Sequence, residues 1–155
     1  MTGIVHAGLA PVIVVADVKP NLVLVAVVLV TSFFGFLPGI VWAFVAGLTA
    51  NLLVGDPLGS LPLVLLVVAA LVAGGHRLLG RLTWVYPVLA ALVGSIVADV
   101  LGLLLFSLVA EPVQTGIPME IVLPAAFLNA AIVGVLAYPT RLASVRYTPQ
   151  EGGAW

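Results

Sequence analysis

Between Asn21 and Tyr138 the chain is a succession of apolar stretches, each holding at most one Asp, Glu, Lys or Arg and each closed by Gly, Pro or a small group of charges. A hydrocarbon core about 30 Å thick is crossed by about 20 apolar residues in a helix. Helices also satisfy every backbone N–H and C=O without help from water. The pattern therefore predicts an all-α membrane protein, a polytopic helical bundle. Composition agrees, with 63% of residues hydrophobic and 7% charged against roughly 25% charged in an ordinary soluble domain. So few charges cannot clothe a water-soluble fold. Residues 1–147 are read as one integral-membrane domain, and 148–155, polar or small, as a disordered tail.

Five transmembrane helices are expected, over Asn21 to Leu37, Gly39 to Val54, Leu61 to Leu79, Trp84 to Ala110 and Met119 to Tyr138. A leading segment, Ile4 to Ala16, is interrupted by Pro11 and is short for a span, so it reads as a partial, re-entrant or interfacial helix. Lys19-Pro20-Asn21 sets a helix start, Pro38-Gly39 divides the first two helices, and Gly55-Asp56-Pro57-Leu58-Gly59 forms a turn. Gly74-Gly75-His76-Arg77 closes the third helix, and Glu111-Pro112 with Gly116-Ile117-Pro118 brackets the last loop.

Cytoplasmic loops are enriched in Lys and Arg. Arg77 and Arg81 share one connection, Arg141 and Arg146 follow the last helix, and an even number of crossings separates the two groups. Both groups, and the C-terminus, are thereby assigned to the cytoplasm, with Asp56, Glu111 and Glu120 outside and Lys19 the exception. Trp84, Tyr86, Tyr138 and Tyr147 fall near cytoplasmic helix ends, where amphipathic rings anchor at the headgroup layer.

The same inventory excludes several functions. A net charge of −1 without a basic run gives no footing for nucleic acid. The absence of Cys removes disulfides, thiolate zinc sites and thiol nucleophiles. Met1 to Ala10 lacks the charged start of a signal peptide. His6 and His76 are far apart and without carboxylate company, and there is no phosphate-binding glycine loop, no serine elbow and no second membrane carboxylate beside Asp99. No enzyme activity, metal or cofactor is expected.

What remains is packing chemistry. Gly39, Ala43, Gly47, Asn51 and Gly55 recur at steps of four, which puts one narrow ridge along the second helix. Similar rows occur at Ala90, Gly94, Ala98 and Gly102 and at Ala126, Ala130 and Gly134. Small residues let helix backbones approach closely, and dispersion across such grooves holds helices together in lipid. The ridge serves either internal packing or the docking of another protein's helix. Asp99 lies midway along the fourth helix with Ser95 one turn earlier. A carboxylate there costs roughly 2.5 to 3.5 kcal/mol on insertion scales, so Asp99 is expected to face the interior. It forms either a functional polar site or a hydrogen bond to Asn129 or Asn51.

Three segments, taken in order, resemble the MreD family of the bacterial rod-shape machinery. Val18-Lys19-Pro20-Asn21-Leu22-Val23-Leu24 is similar to the family's entry into its helices. Gly39 through Gly59, with Ala46-Gly47-Leu48-Thr49-Ala50-Asn51 and Gly55-Asp56-Pro57-Leu58-Gly59, resembles its central segment. Pro124-Ala125-Ala126-Phe127-Leu128-Asn129-Ala130-Ala131 with Tyr138-Pro139 and Arg141 resembles its final helix. Asn21 and Asn51 stand where the family often has Asp, and only Ile4 to Ala16 precedes Lys19 where the family has a complete first helix.

The resemblance implies a multi-pass protein of the bacterial inner membrane that binds MreC. It would work beside a RodA-type glycosyltransferase and a class B penicillin-binding transpeptidase in lateral peptidoglycan synthesis and cell shape, making no bonds itself. Gly39, Gly47, Asn51, Gly55, Asp56, Pro57 and Gly59 are the residues it points to for partner binding or helix packing. Ser95, Asp99 and Asn129 are the intramembrane polar set. The family is similar in fold to the substrate-binding subunits of energy-coupling-factor transporters. That likeness supplies an alternative, a substrate-capture subunit for a vitamin-like molecule with Asp99 and Asn129 lining its pocket.

Overall fold

A computed structural model describes residues 20–54, 59–79, 85–109 and 119–147. They form five helices and no strand: α1 (Leu22–Phe34), α2 (Phe36–Val54), α3 (Ser60–Leu79), α4 (Tyr86–Val109) and α5 (Met119–Tyr147). Four of them, α2 to α5, are long and apolar enough to cross a membrane. The expected helix over Ile4 to Ala16 and the tail at 148–155 lie outside the described residues.

The first expected span is shortened. With 13 residues, α1 is about 20 Å long, short of the hydrocarbon core. It stops at Gly35, three residues before the Pro38-Gly39 break that the sequence suggested. Gly35 has φ +99°, in the left-handed region that favours glycine, so the chain reverses there. Pro38 instead falls in the first turn of α2, where its missing N–H has no helical partner to lose.

The last helix is corrected in the other direction and runs past Tyr138 to Tyr147. Pro124 and Pro139 are both carried inside it, each removing one backbone hydrogen bond. Just after Pro139, the Thr140 hydroxyl donates to the Leu136 carbonyl at 2.7 Å and the Ser144 hydroxyl to that of Arg141 at 2.8 Å. Bonds of this kind, to a carbonyl three or four residues back, are how Ser and Thr hydroxyls are satisfied within a helix.

Helix α1 is the centre of the bundle. It packs against all four others, which follow one another around it in the order α2, α3, α4, α5, with no contact between α2 and α5. Val23, Leu24, Val25, Val27, Val28, Leu29 and Thr31 are all buried. Small residues set how closely the ring approaches. A Cβ on Gly39 would lie 2.2 Å from Thr31 Oγ1 of α1, and one on Gly47 would lie 3.0 Å from both Leu65 Cδ1 and the Pro62 Cα of α3. One on Gly94 of α4 would lie 3.1 Å from Val68 Cγ1. Dispersion between closely apposed backbones is the attraction available where lipid competes equally for apolar surface.

These contacts also fix direction. The start of α2 meets the end of α1, the end of α3 meets Tyr86 at the start of α4, and Gly134 of α5 lies beside Val88 of α4. Successive helices therefore run antiparallel. Arg77, Arg141 and Arg146 share one end of the bundle, called the basic end below, and Glu120 lies at the other.

Candidate functional site

At mid-height the bundle contains a polar chain that joins three helices. Asn21 caps α1, its side-chain oxygen accepting from the Leu24 N–H at 3.0 Å. Asparagine is a favoured N-cap because its short side chain reaches back to such free donors. The Asn21 N–H in turn donates to Asn129 Oδ1 of α5 at 2.9 Å, and Asn129 Nδ2 donates to Ser95 Oγ of α4 at 3.0 Å. Ser95 and Asn129 are almost fully buried. Asn129 is about 15 Å along α5 from Met119, and Ser95 a similar distance along α4 from Tyr86. The start of α1 is thus held inside the bundle rather than at its surface, and Pro20, immediately before it, is fully buried.

The structure brings together two of the three intramembrane polar residues expected from sequence, Ser95 and Asn129. Asp99, one turn from Ser95 on α4, is half-buried and makes no hydrogen bond to a described residue. The expected bond from Asp99 to Asn129 or Asn51 is corrected. Asn129 is committed to Asn21 and Ser95, and Asn51 is at the far end of α2, where its Oδ1 accepts the Gly59 N–H at 2.7 Å. That bond closes the connection between α2 and α3 at a residue with φ +91°.

Gly39, Gly47 and Asn51 of the α2 ridge all face inward, against α1, α3 and the Gly59 turn respectively. Gly55, Asp56 and Pro57 lie outside the described residues. The face of α2 turned away from its neighbours carries Leu37, Val41, Phe44, Val45 and Leu52, all exposed.

Tyr86, expected as a ring at the headgroup layer, is instead buried against α3. Its hydroxyl donates to the Val72 carbonyl, and its ring meets His76 edge-on, with centroids 5.2 Å apart and planes at 79°. Gly75 makes room for it, since a Cβ there would lie 3.0 Å from the Tyr86 hydroxyl. Tyr138, by contrast, is exposed.

Sequence reasoning missed a second polar region, at the basic end. A cleft of about 620 Å³ opens between the end of α1, the Gly35 turn and the end of α3. Thr31 and Ser32 in its wall carry buried hydroxyls with no hydrogen-bond partner among the described residues, and His76 and Arg77 stand at its rim. No spacing rule pairs residues 31 and 32 with 76 and 77. The one legible cue was a Thr one helical hairpin away from a Gly, Thr31 facing Gly39.

Compared with known protein families, curated proteins and solved structures, the chain matches none.

Proposed function

We propose that the chain is a non-enzymatic membrane scaffold of the MreD type, holding the membrane helix of an MreC-like partner. In this reading it sits in the bacterial inner membrane with the basic end, and so the C-terminus, in the cytoplasm, following the distribution of Arg. The RodA-type glycosyltransferase and the class B transpeptidase are the further members of the complex.

The observation that carries the reading is the outer face of α2. Its small-residue ridge packs inward, and among the described residues α2 touches only α1 and α3, so a continuous apolar face from Leu37 through Val41, Phe44 and Val45 to Leu52 is available to a partner helix. These residues recur at helical spacing along one side, the form in which one helix presents anchors to another. The resemblance over Gly39 to Gly59 falls on this same helix.

The substrate-capture alternative is less well supported. A pocket needs several convergent polar groups, whereas Asn129 and Ser95 are bonded to one another and to Asn21.

The test is affinity purification of the tagged chain from its native membranes in mild detergent, with mass spectrometry of the retained proteins. An MreC-like protein with wall-synthesis enzymes is the expected result, reduced by Phe44→Ala combined with Leu52→Ala. Recovery of ATPase and coupling subunits instead would overturn the scaffold reading.

A further inference from the structure

We propose that the cleft at the basic end binds an anionic phospholipid, with the headgroup phosphate on Arg77 and His76 and an acyl chain along the walls formed by Phe33, Phe34, Ala70 and Ala73. The volume of about 620 Å³ lies within the range of pockets that hold small molecules. Its lining divides by chemistry in the way a lipid does. Aromatic and small apolar side chains form the walls, and the cationic and imidazole groups stand together at the rim.

Position supports the same occupant. Arg77 lies in the last turn of α3, a helix long enough to span, so it falls at the level of the headgroups. A guanidinium presents a planar fork of donors that matches a phosphate in two hydrogen bonds. Arg77 is exposed and pairs with no carboxylate among the described residues. The imidazole of His76 is steadied beside it by the Tyr86 ring.

Among the described residues the charge around the cleft has one sign. Arg141 and Arg146 lie at the same end, whereas the described carboxylates are Asp99, midway along α4, and Glu120, in the first turn of α5 at the opposite end. A zwitterionic lipid would bring its ammonium group toward this cationic rim, and an anionic one would not. Basic pockets between membrane helices select anionic headgroups on this ground. The proposal does not depend on which protein the outer face of α2 binds.

The test uses the full chain in mild detergent and native mass spectrometry, with phosphatidylglycerol and phosphatidylcholine of identical acyl chains as probes. Wild type is expected to retain phosphatidylglycerol with a roughly fivefold preference, the order that one interfacial Arg confers. Arg77→Gln should bring the two lipids to parity, Arg141→Gln should leave the preference intact, and Ala73→Trp should reduce retention of both. Since Ala73→Trp also tests whether the fold tolerates the ring, the comparison of Arg77→Gln with Arg141→Gln decides the matter if that variant does not fold. Equal retention of both lipids by wild type, no change in Arg77→Gln, or equal loss in the two Arg variants would overturn the proposal. Displacement of phosphatidylglycerol by inorganic phosphate alone would overturn it in favour of a soluble anion.

Discussion

Of the described glycines, Gly39 is the one where an added Cβ would meet the shortest contact, and Gly39→Ala tests whether that approach holds the bundle together. The added Cβ would lie 2.2 Å from Thr31 Oγ1, 2.9 Å from Thr31 Cβ and 3.1 Å from Thr31 Cα. Rotating the threonine removes the first contact and leaves the other two, so α1 and α2 must separate slightly at this level. Overpacking of this kind typically costs about 1 to 3 kcal/mol. Replacing a helical glycine by alanine returns up to about 1 kcal/mol. The net expectation is a loss of about 1 to 2 kcal/mol. Thr31→Ala removes the shortest contact together with a buried hydroxyl that has no partner. By itself it should be close to neutral, and in the double variant it should recover little, about 0.5 kcal/mol at most, because the contacts to the Cβ and Cα of residue 31 remain. Gly102→Ala is the control, because nothing lies within 4 Å of a Cβ there. The assay is reversible unfolding in mixed detergent and dodecyl sulfate micelles followed by far-ultraviolet circular dichroism. If Gly39→Ala is as stable as Gly102→Ala, or if Thr31→Ala recovers the whole loss, the close-packing argument is wrong.

Three further outcomes are expected in the same unfolding assay. Asn129→Leu leaves the Asn21 N–H and Ser95 Oγ without their partner and should lower stability by about 1 to 2 kcal/mol, the upper range for interhelical hydrogen bonds in membranes; Ser95→Ala added to it should cost little more, and simple additivity would show that the two are not bonded. Tyr86→Phe removes the donor to the Val72 carbonyl and should cost about 0.5 to 1.5 kcal/mol; no change would place that hydroxyl in solvent. Gly59→Ala imposes a Cβ at φ +91° and should cost about 1 to 2 kcal/mol of backbone strain despite the open space around it; a neutral result would mean that the turn adopts another conformation.

Co-purification separates the two sides of α2. Gly47→Leu should reduce both stability and partner recovery, because its side chain would strike the Pro62 backbone and Leu65. Phe44→Ala combined with Leu52→Ala should reduce partner recovery alone. A loss of stability in that exposed pair as large as in Gly47→Leu would show that the outer face also holds the bundle.

Much of the architecture was legible in the residue order because lipid imposes simple rules. Apolar length predicted the helices α2 to α5 to within a few residues at most ends, and the rows through Gly39, Gly94 and Ala130 marked surfaces able to pack closely. Turn chemistry was less dependable. Pro38-Gly39 reads as a break and Tyr138 as the end of the last helix, yet Pro38 falls in an initial turn where its N–H is not needed, and α5 continues through Pro139. The break that exists is at Gly35, where a left-handed conformation, invisible in composition, reverses the chain.

By itself, the sequence determined that this is a helical chain for a membrane, because scarcity of charge and apolar length depend on no particular neighbour. Only the tertiary structure decided which faces pack. The helices are apolar on nearly every side, so the polar-to-apolar contrast that orients a helix in water is absent, and shape rather than hydropathy selects the contacts. It alone placed α1 at the centre, with Asn21 meeting a side chain 108 positions away. It also turned Tyr86 inward and brought the ends of α1 and α3 together around one cleft.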